Sequence, residues 1–178
     1  MKTFYEVFSK HCRVMVPSEN GFEPRQSIRK RFWLTLLERA AHRTNLHAGI
    51  SPRTESWIGT GAGISGLGYN YVIQKQEFRV ELYIDRGKGC KTENQEIFGI
   101  FDARRLEVET AFDVTLAWER LDTKRASRIA YRLSNGGYRS PEETWPEIQD
   151  AMIDAMIDAM IRLEKALAPH IDGLKKKT

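Results

Sequence analysis

The 178-residue chain is 41% apolar and 29% charged, a composition typical of one soluble globular domain with a substantial core. Its net charge of +4 permits contact with nucleic acid but does not require it, because a charge of this size also serves solubility. The absence of a ~18-residue apolar run or a signal-peptide core, together with only two cysteines, predicts a cytoplasmic protein without membrane association.

Three segments are expected along the chain: an N-terminal arm over residues 1–24, a single α+β domain over 25–169 and a basic tail over 170–178. A loop signal at residues 17–21 closes the arm. A first helix is predicted over residues 25–43, because apolar side chains recur there at three- and four-residue spacing. These side chains are Ile28, Phe32, Leu36, Leu37 and Ala40.

Three strands are predicted after the first helix: one around Trp57, one over residues 69–74 and one over 78–84. The third alternates apolar and polar residues with period two, which indicates a sheet with one apolar and one polar face. Residues 75–77 are few enough to close a hairpin between the second and third strands.

A second helix is expected to begin at a capping box formed by Thr92 and Gln95. Its buried side would carry Ile97, Phe101, Val108 and Phe112. Two further strands are predicted over residues 116–120 and 127–133, followed by a turn at 135–137.

The last helix is predicted to begin at a second capping box, Thr144 to Glu147, and to end before Pro169. Its repeated Ala-Met-Ile-Asp unit creates a broad apolar face, which favours burial against the sheet or, in part, against a second copy in a homodimer. Aspartates at four-residue spacing are expected to form a solvated stripe that pairs with Arg162. They are Asp150, Asp154 and Asp158.

The predicted order is therefore α-β-β-β-α-β-β-α. This order is typical of an α+β domain in which helices pack on a mainly antiparallel five-stranded sheet. The four histidines show no pairing with cysteines at zinc spacing and are expected at the surface or at helix ends.

Residues 59–68 hold five of the thirteen glycines. Gly61, Gly63 and Gly66 match the dinucleotide fingerprint literally, but strand-forming residues follow where a helix is required, and no P-loop lysine is present. No cofactor is therefore expected. Two interpretations stay open: a bulged or glycine-rich connection between strands, or a backbone cradle for phosphate or for a partner's main chain. The candidate binding residues here are Gly61, Gly63, Ser65, Gly66 and Asn70.

A second group of candidates is basic and surrounds the turn between the last two predicted strands. It comprises Arg120, Lys124, Arg125, Arg128 and Arg132, with Arg79 added if the strands are neighbours. Such a patch could hold phosphates of DNA or RNA. Because Glu119 and Asp122 lie nearby, an internally paired polar face is the alternative.

The first six elements also match the core order of restriction-type nucleases, which hold a divalent metal on acids of the second and third strands. Here no lysine follows an acid of the third strand at the required spacing, and Asn70 stands where an aspartate would be needed. Only Glu81 and Asp85 remain as weak metal candidates, so this pattern favours a degenerate nuclease or a protein that is not an enzyme.

Five segments together resemble one prokaryotic domain family of unknown function. They are WIGTGAGISG (57–66), YNYVI (69–73), RVELYID (79–85), WERLDxKR (118–125) and Trp145-Pro146. Members of that family occur alone or at the C-terminus of larger proteins, often behind a restriction-endonuclease-like domain, and the resemblance covers about residues 25–169. It implies no activity or catalytic residue, but it implies an association with defence or DNA metabolism and with a separate nuclease or defence protein.

The sequence therefore predicts a non-catalytic, dimeric binding module of the restriction or defence type that contacts nucleic acid or a partner protein. The alternatives are a dimeric adaptor of the chaperone type and a degenerate metal-dependent nuclease.

Overall fold

The computed structural model describes residues 25–74, 77–133 and 145–176, and within them the elements follow the order α-β-β-β-α-α-β-β-α. This order confirms the predicted α+β class. The helices are α1 (Arg25–Ala41), α2 (Lys91–Asp102), α3 (Arg105–Phe112) and α4 (Trp145–Lys175). The strands are β1 (Trp57–Gly61), β2 (Leu67–Ile73), β3 (Phe78–Ile84), β4 (Ala117–Glu119) and β5 (Ser127–Leu133).

The five strands form one antiparallel sheet in the order β1-β2-β3-β5-β4. The predicted alternation in β3 is confirmed, and its apolar residues pack in the core with the helices. They are Phe78, Val80, Leu82 and Ile84. The opposite face of the sheet carries the alternate, mostly polar residues, and we call it the open face.

Helix α4 lies on β2 and β3 and contacts both α1 and α3. Met156, Ile157 and Met160 on its apolar face are fully buried within the chain. The apolar face on which the predicted homodimer rested is therefore largely used by the chain's own core, and the dimer stays a prediction.

The aspartates of α4 form ion pairs with arginines of α1. The sequence had predicted that they would pair with Arg162 of their own helix. Arg39 pairs with Asp150, and Arg43 pairs with Asp158. Arg162 lies on the side of α4 that meets α3, where it donates to the carbonyl of Phe112 and covers the Phe112 ring at 4.5 Å. The prediction was wrong because spacing along one helix cannot show which neighbouring helix supplies the nearest guanidinium group.

The predicted second helix is in fact two helices, because a turn at residues 103–104 lets Phe101 and Val108 both reach the core. The prediction of a capping box at Thr92 was also wrong. Helix α2 begins one residue earlier, at Lys91, and its N-cap residue Cys90 makes no side-chain capping bond.

Helix α4 continues through Pro169 to Lys175, although the sequence predicted an end before the proline. Burial explains the continuation, because Ile171, beyond the proline, is 2% exposed and belongs to the core. Thr144 of the second capping box, the turn at 135–137 and the arm over 1–24 lie outside the described residues. None of the described helices has both the length and the hydropathy needed to cross a bilayer.

Candidate functional site

Residues on the open face form three rows that run across the strands. The first is Trp57, Val72, Arg79 and Arg132; the second is Gly59, Asn70, Glu81 and Ala130; the third is Gly61, Gly68, Tyr83, Arg128 and Glu119. The condition on which Arg79 joins the arginines of β5 is met, since Arg79 lies opposite Arg132. This arrangement arises because β3 pairs directly with β5.

A cavity of about 560 Å³ lies on this face, and we call it the open-face cavity. Its floor is the backbone of the glycine-rich β1 and β2, including Gly61 and Gly68. Tyr83 and Arg128 line it from the side of β3 and β5. Its volume lies within the range of pockets that hold small ligands, about 300–1,000 Å³.

The glycine-rich segment forms the hairpin that joins β1 to β2. Gly63 and Gly66 have φ angles of +84° and +82°, which residues with a side chain rarely adopt. The amide of Ala62 donates to the carbonyl of Leu67 at 2.9 Å and closes the turn. Of the two interpretations left open by the sequence, the strand connection is therefore the one observed, and its flanking glycines also line a cavity.

The predicted binding residues are only partly brought together. The cavity is lined by Gly61, Gly66, Asn70, Arg79 and Arg128. Gly63 and the exposed Ser65 lie in the hairpin turn, and Lys124 and Arg125 lie in the turn between β4 and β5. Arg132 lies at the other end of β5, outside the cavity lining.

The arginines of the open face are paired with glutamates. Arg79, which is 5% exposed, bonds Glu81 through Nε at 2.7 Å and Glu77 through Nη1 at 2.7 Å. Arg132 bonds both Glu77 and Glu119, and Arg128 bonds Glu119. The charges of these three arginines and three glutamates cancel. The open face is therefore internally paired, which was one of the two interpretations of the sequence, and it is not a free basic patch.

Glu119 connects β4 to this network. Burial opposes its ionisation, but hydrogen bonds from Arg132 and Arg128 outweigh that cost and hold the pKa of Glu119 below its usual value. The carboxylate therefore stays ionised at neutral pH and fixes both guanidinium groups in place. Bound ligands would meet side chains whose positions are already set.

Unbalanced positive charge lies instead in two adjoining segments, residues 85–93 after β3 and 120–126 between β4 and β5. Together they hold Arg86, Lys88, Lys91, Arg120, Lys124 and Arg125 against Asp85, Glu93 and Asp122, an excess of three positive charges. Asn94 joins the two segments, because its side chain accepts from the amide of Arg86 and donates to the carbonyl of Arg125, both at 2.9 Å. We call these two segments the cationic rim.

The cationic rim borders the glycine end of the open-face cavity. The amide of Asp85 donates to the carbonyl of Gly66 at 2.7 Å, which places the rim directly beside the hairpin turn. A hydrogen bond from Arg125 at 2.8 Å holds the pKa of Asp85 below its usual value. Lys124 is exposed and its ammonium group forms no ion pair within the described part of the chain.

Both weak metal candidates already form ion pairs with arginines: Glu81 pairs with Arg79, and Asp85 pairs with Arg125. Across residues 25–74, 77–133 and 145–176, no three His, Cys, Asp or Glu side chains are grouped as metal ligands.

Sequence reasoning missed Trp57 and Tyr83, which line the cavity, and it included Gly59 and Gly68 only within the segment 59–68 that it expected to make the contact. The two glycines belong to the same glycine-rich segment as the candidates that were named, and Tyr83 lies on the polar side of the alternation in β3. The signal was present in each case, but only strand register shows that these residues adjoin.

Comparison with known proteins gives one match. No curated protein and no solved structure shows significant similarity to the chain. The profile of one family, described as a domain of unknown function (DUF4268), matches residues 28–171. That match includes all five segments on which the resemblance rests, whereas the association with restriction endonucleases stays a prediction. Since the matched region spans most of the sequence, the chain belongs to the DUF4268 family.

Proposed function

We propose that this domain is a non-catalytic binding module that contacts nucleic acid, DNA or RNA, through the open-face cavity and the cationic rim. One observation carries the proposal: a cavity whose two arginines are held in place by glutamates adjoins two segments with an excess of three positive charges. The rim would attract phosphates, and the cavity would receive another part of the same ligand.

The ion-paired walls support a role beyond stability. Arg79 and Glu81 are 5% and 3% exposed, and burying such a pair costs desolvation that apolar residues would avoid. Replacement of buried ion pairs by apolar residues is often neutral or stabilising in other proteins. A sheet face that keeps such pairs beside a cavity therefore has the character of a recognition surface.

The rim supports nucleic acid as the ligand, because lysine and arginine contacts with phosphates supply most sequence-independent affinity. Lys124 is the best single probe, since it is exposed and its removal breaks no ion pair within the described residues. Arg120 and Arg125 pair with Asp122 and Asp85, so their substitution would also release an acid.

The test compares Lys124→Glu with Lys165→Glu in binding to labelled single-stranded DNA, single-stranded RNA and duplex DNA. Lys165 is exposed on α4, which packs on the other face of the sheet, so it makes the same change of charge away from the rim. We expect Lys124→Glu to weaken binding about tenfold at low salt and to reduce the slope of log K against log salt by about 1. Lys165→Glu should bind as the wild type does.

Two results would overturn the proposal. One is that the wild-type protein binds none of the three nucleic acids at low salt, which would favour a partner protein such as a separate nuclease or defence protein. The other is an equal loss in both variants, which would reflect net charge alone.

A further inference from the structure

Resting on the proposed function, we infer that the open-face cavity receives a single unpaired nucleobase, seated over Gly61 and Gly68 and beside Tyr83. This inference names the part of the nucleic acid that is recognised, whereas the rim concerns only the phosphates.

The shape of the third row supports a planar ring. Gly61 and Gly68 face each other across β1 and β2, so no side chain rises from two neighbouring strands that lie ~4.8 Å apart. Tyr83 is the next residue in the row, on β3, and lines the same cavity. A Cβ atom built at Gly61 would meet no atom of the described residues within 4 Å, so the space above Gly61 is open there. At Gly68 a Cβ would lie 3.6 Å from Oδ1 of Asn70, so the amide of Asn70 borders this floor. The result is a flat floor bounded on one side by an aromatic residue.

The walls of the cavity also suit a base. Every base carries hydrogen-bond donors or acceptors on its edges, and amide and guanidinium groups are among their common partners. Asn70 and Arg128 supply those groups here, and the side chain of Tyr83 forms no hydrogen bond within the described residues. An apolar ligand would make no use of the Tyr83 hydroxyl, whereas a base edge can bond it.

A phosphate is a poorer occupant than a base. Glu81 lines the cavity and bonds Arg79, and Glu119 bonds Arg128, which also lines the cavity. A phosphate placed there would compete with two carboxylates for the same donors, and its charge would be repelled by them. A neutral ring avoids both penalties, while its phosphates can reach the rim.

The volume of the cavity limits which form of nucleic acid can bind. A cavity of about 560 Å³ accommodates one nucleotide-sized group, whereas a base within a duplex is stacked and paired and cannot reach the floor. The ligand is therefore a single strand or a strand with an extruded nucleotide. A peptide would bind differently, by main-chain hydrogen bonds along an edge of the sheet at β1 or β4, because β2, β3 and β5 are paired on both sides.

The experiment uses Gly61→Val to fill the cavity without disturbing the fold. Valine favours strands, and its Cβ has open space at this position. Gly99→Val is the matched control, because a Cβ there also meets no atom of the described residues within 4 Å and α2 packs on the core side of the sheet through Phe98 and Phe101. Two labelled DNA single strands of equal length are the probes: one carries bases, and the other is abasic with the same phosphates.

We expect the wild type and Gly99→Val to bind the base-carrying strand at least about tenfold more tightly than the abasic strand, as stacking of bases on protein rings predicts. Gly61→Val should bind both strands with the weaker affinity. If thermal melting shows that Gly61→Val is unfolded, Tyr83→Leu provides the same comparison, and it too should lose the preference.

The outcomes separate this inference from the function on which it rests. Equal wild-type affinity for the two strands, or a preference that survives in the folded variant, would overturn the inference and leave nucleic-acid binding intact. A wild-type protein that binds neither strand would overturn the inference for DNA, and it would overturn the proposed function as well if single-stranded RNA and duplex DNA also fail to bind.

Discussion

The side-chain amide of Asn70 occupies the space that a side chain at position 59 would need. A Cβ atom built at Gly59 would lie 1.8 Å from Oδ1 of Asn70, its partner across β1 and β2. The amide nitrogen of Asn70 in turn donates to Glu81 at 3.4 Å. The missing side chain on β1 thus determines where a polar group of β2 stands in the open-face cavity.

Gly59→Ala should therefore displace Asn70 and destabilise the domain by about 1–3 kcal/mol, because a buried amide would lose its position and its partner. Urea unfolding measures the effect. Gly61→Ala is the control, since the same methyl group there enters open space and should leave stability unchanged or slightly raised. Equal stability of the two variants would show that Asn70 moves aside without cost.

Gly63 and Gly66 share a positive φ but differ in surroundings. Gly63→Val should cost about 1–3 kcal/mol from backbone strain, because only the flexible end of Lys175 lies near its Cβ position, at 2.8 Å. Gly66→Val should cost more, since its Cβ would lie 2.7 Å from Cα of Arg86, and backbone cannot yield as a side chain does. Thermal or urea unfolding tests the order, which would be refuted if Gly63→Val were the less stable variant.

The buried pair of Arg79 and Glu81 provides a third prediction. Glu81→Gln should destabilise the domain by about 3 kcal/mol, because it leaves a buried guanidinium group with fewer compensating charges. Glu107→Gln is matched to it in chemistry, but its pair with Arg104 is exposed, so we expect a loss below about 1 kcal/mol. Similar losses in the two variants would mean that the open-face network contributes no more than surface pairs do.

The buried position of His47 predicts that the domain loses stability in mild acid. The sequence placed the histidines at the surface or at helix ends, but His47 is 5% exposed and its Nε2 lies 3.2 Å from the carbonyl of Tyr69. Its ring also packs against Tyr71, 4.6 Å away. Burial lowers the pKa of His47 from 6.5 to about 4, against the smaller effect of the bond to Tyr69.

The direction in which stability changes with pH follows from proton binding at His47. Between pH 6.5 and about pH 4 the unfolded chain binds a proton at His47 that the folded chain does not, so stability falls as pH falls through this window. The full loss is ~3 kcal/mol, reached near pH 4. Unfolding free energies measured across this range should be flatter in His47→Gln, whereas His42→Gln, at an exposed site, should keep the wild-type slope. A wild-type slope in His47→Gln would refute the assignment.

The carboxylates of the network act at lower pH. Glu119 and Asp85 have pKa values held below their usual range, so their stabilising contribution is present at neutral pH and is lost only as the pH falls through those lowered values. Their effect begins only below the ordinary carboxyl pKa values of 4.5 and 3.8, so it lies at the acid end of the His47 window and beyond it.

Local patterns in the sequence determined the elements and the two faces of the sheet. The alternation from Phe78 to Ile84 fixed which residues of β3 enter the core, because side chains of a strand point to opposite faces in turn. The same reasoning placed Arg79 and Glu81 on the polar face. Helix ends were less well predicted: burial of Ile171 carries α4 beyond Pro169, and burial is not a local property.

The candidate site needed the tertiary structure, because its character depends on which residues of different strands are neighbours. The sequence by itself established a glycine-rich segment, a set of arginines and a set of acids. Strand register then placed Gly61 beside Gly68, and the pairing of β3 with β5 brought Arg79 and Arg128 among glutamates that cancel their charge. Charge balance and cavity shape are sums over residues distant along the chain, and only the folded arrangement fixes those sums.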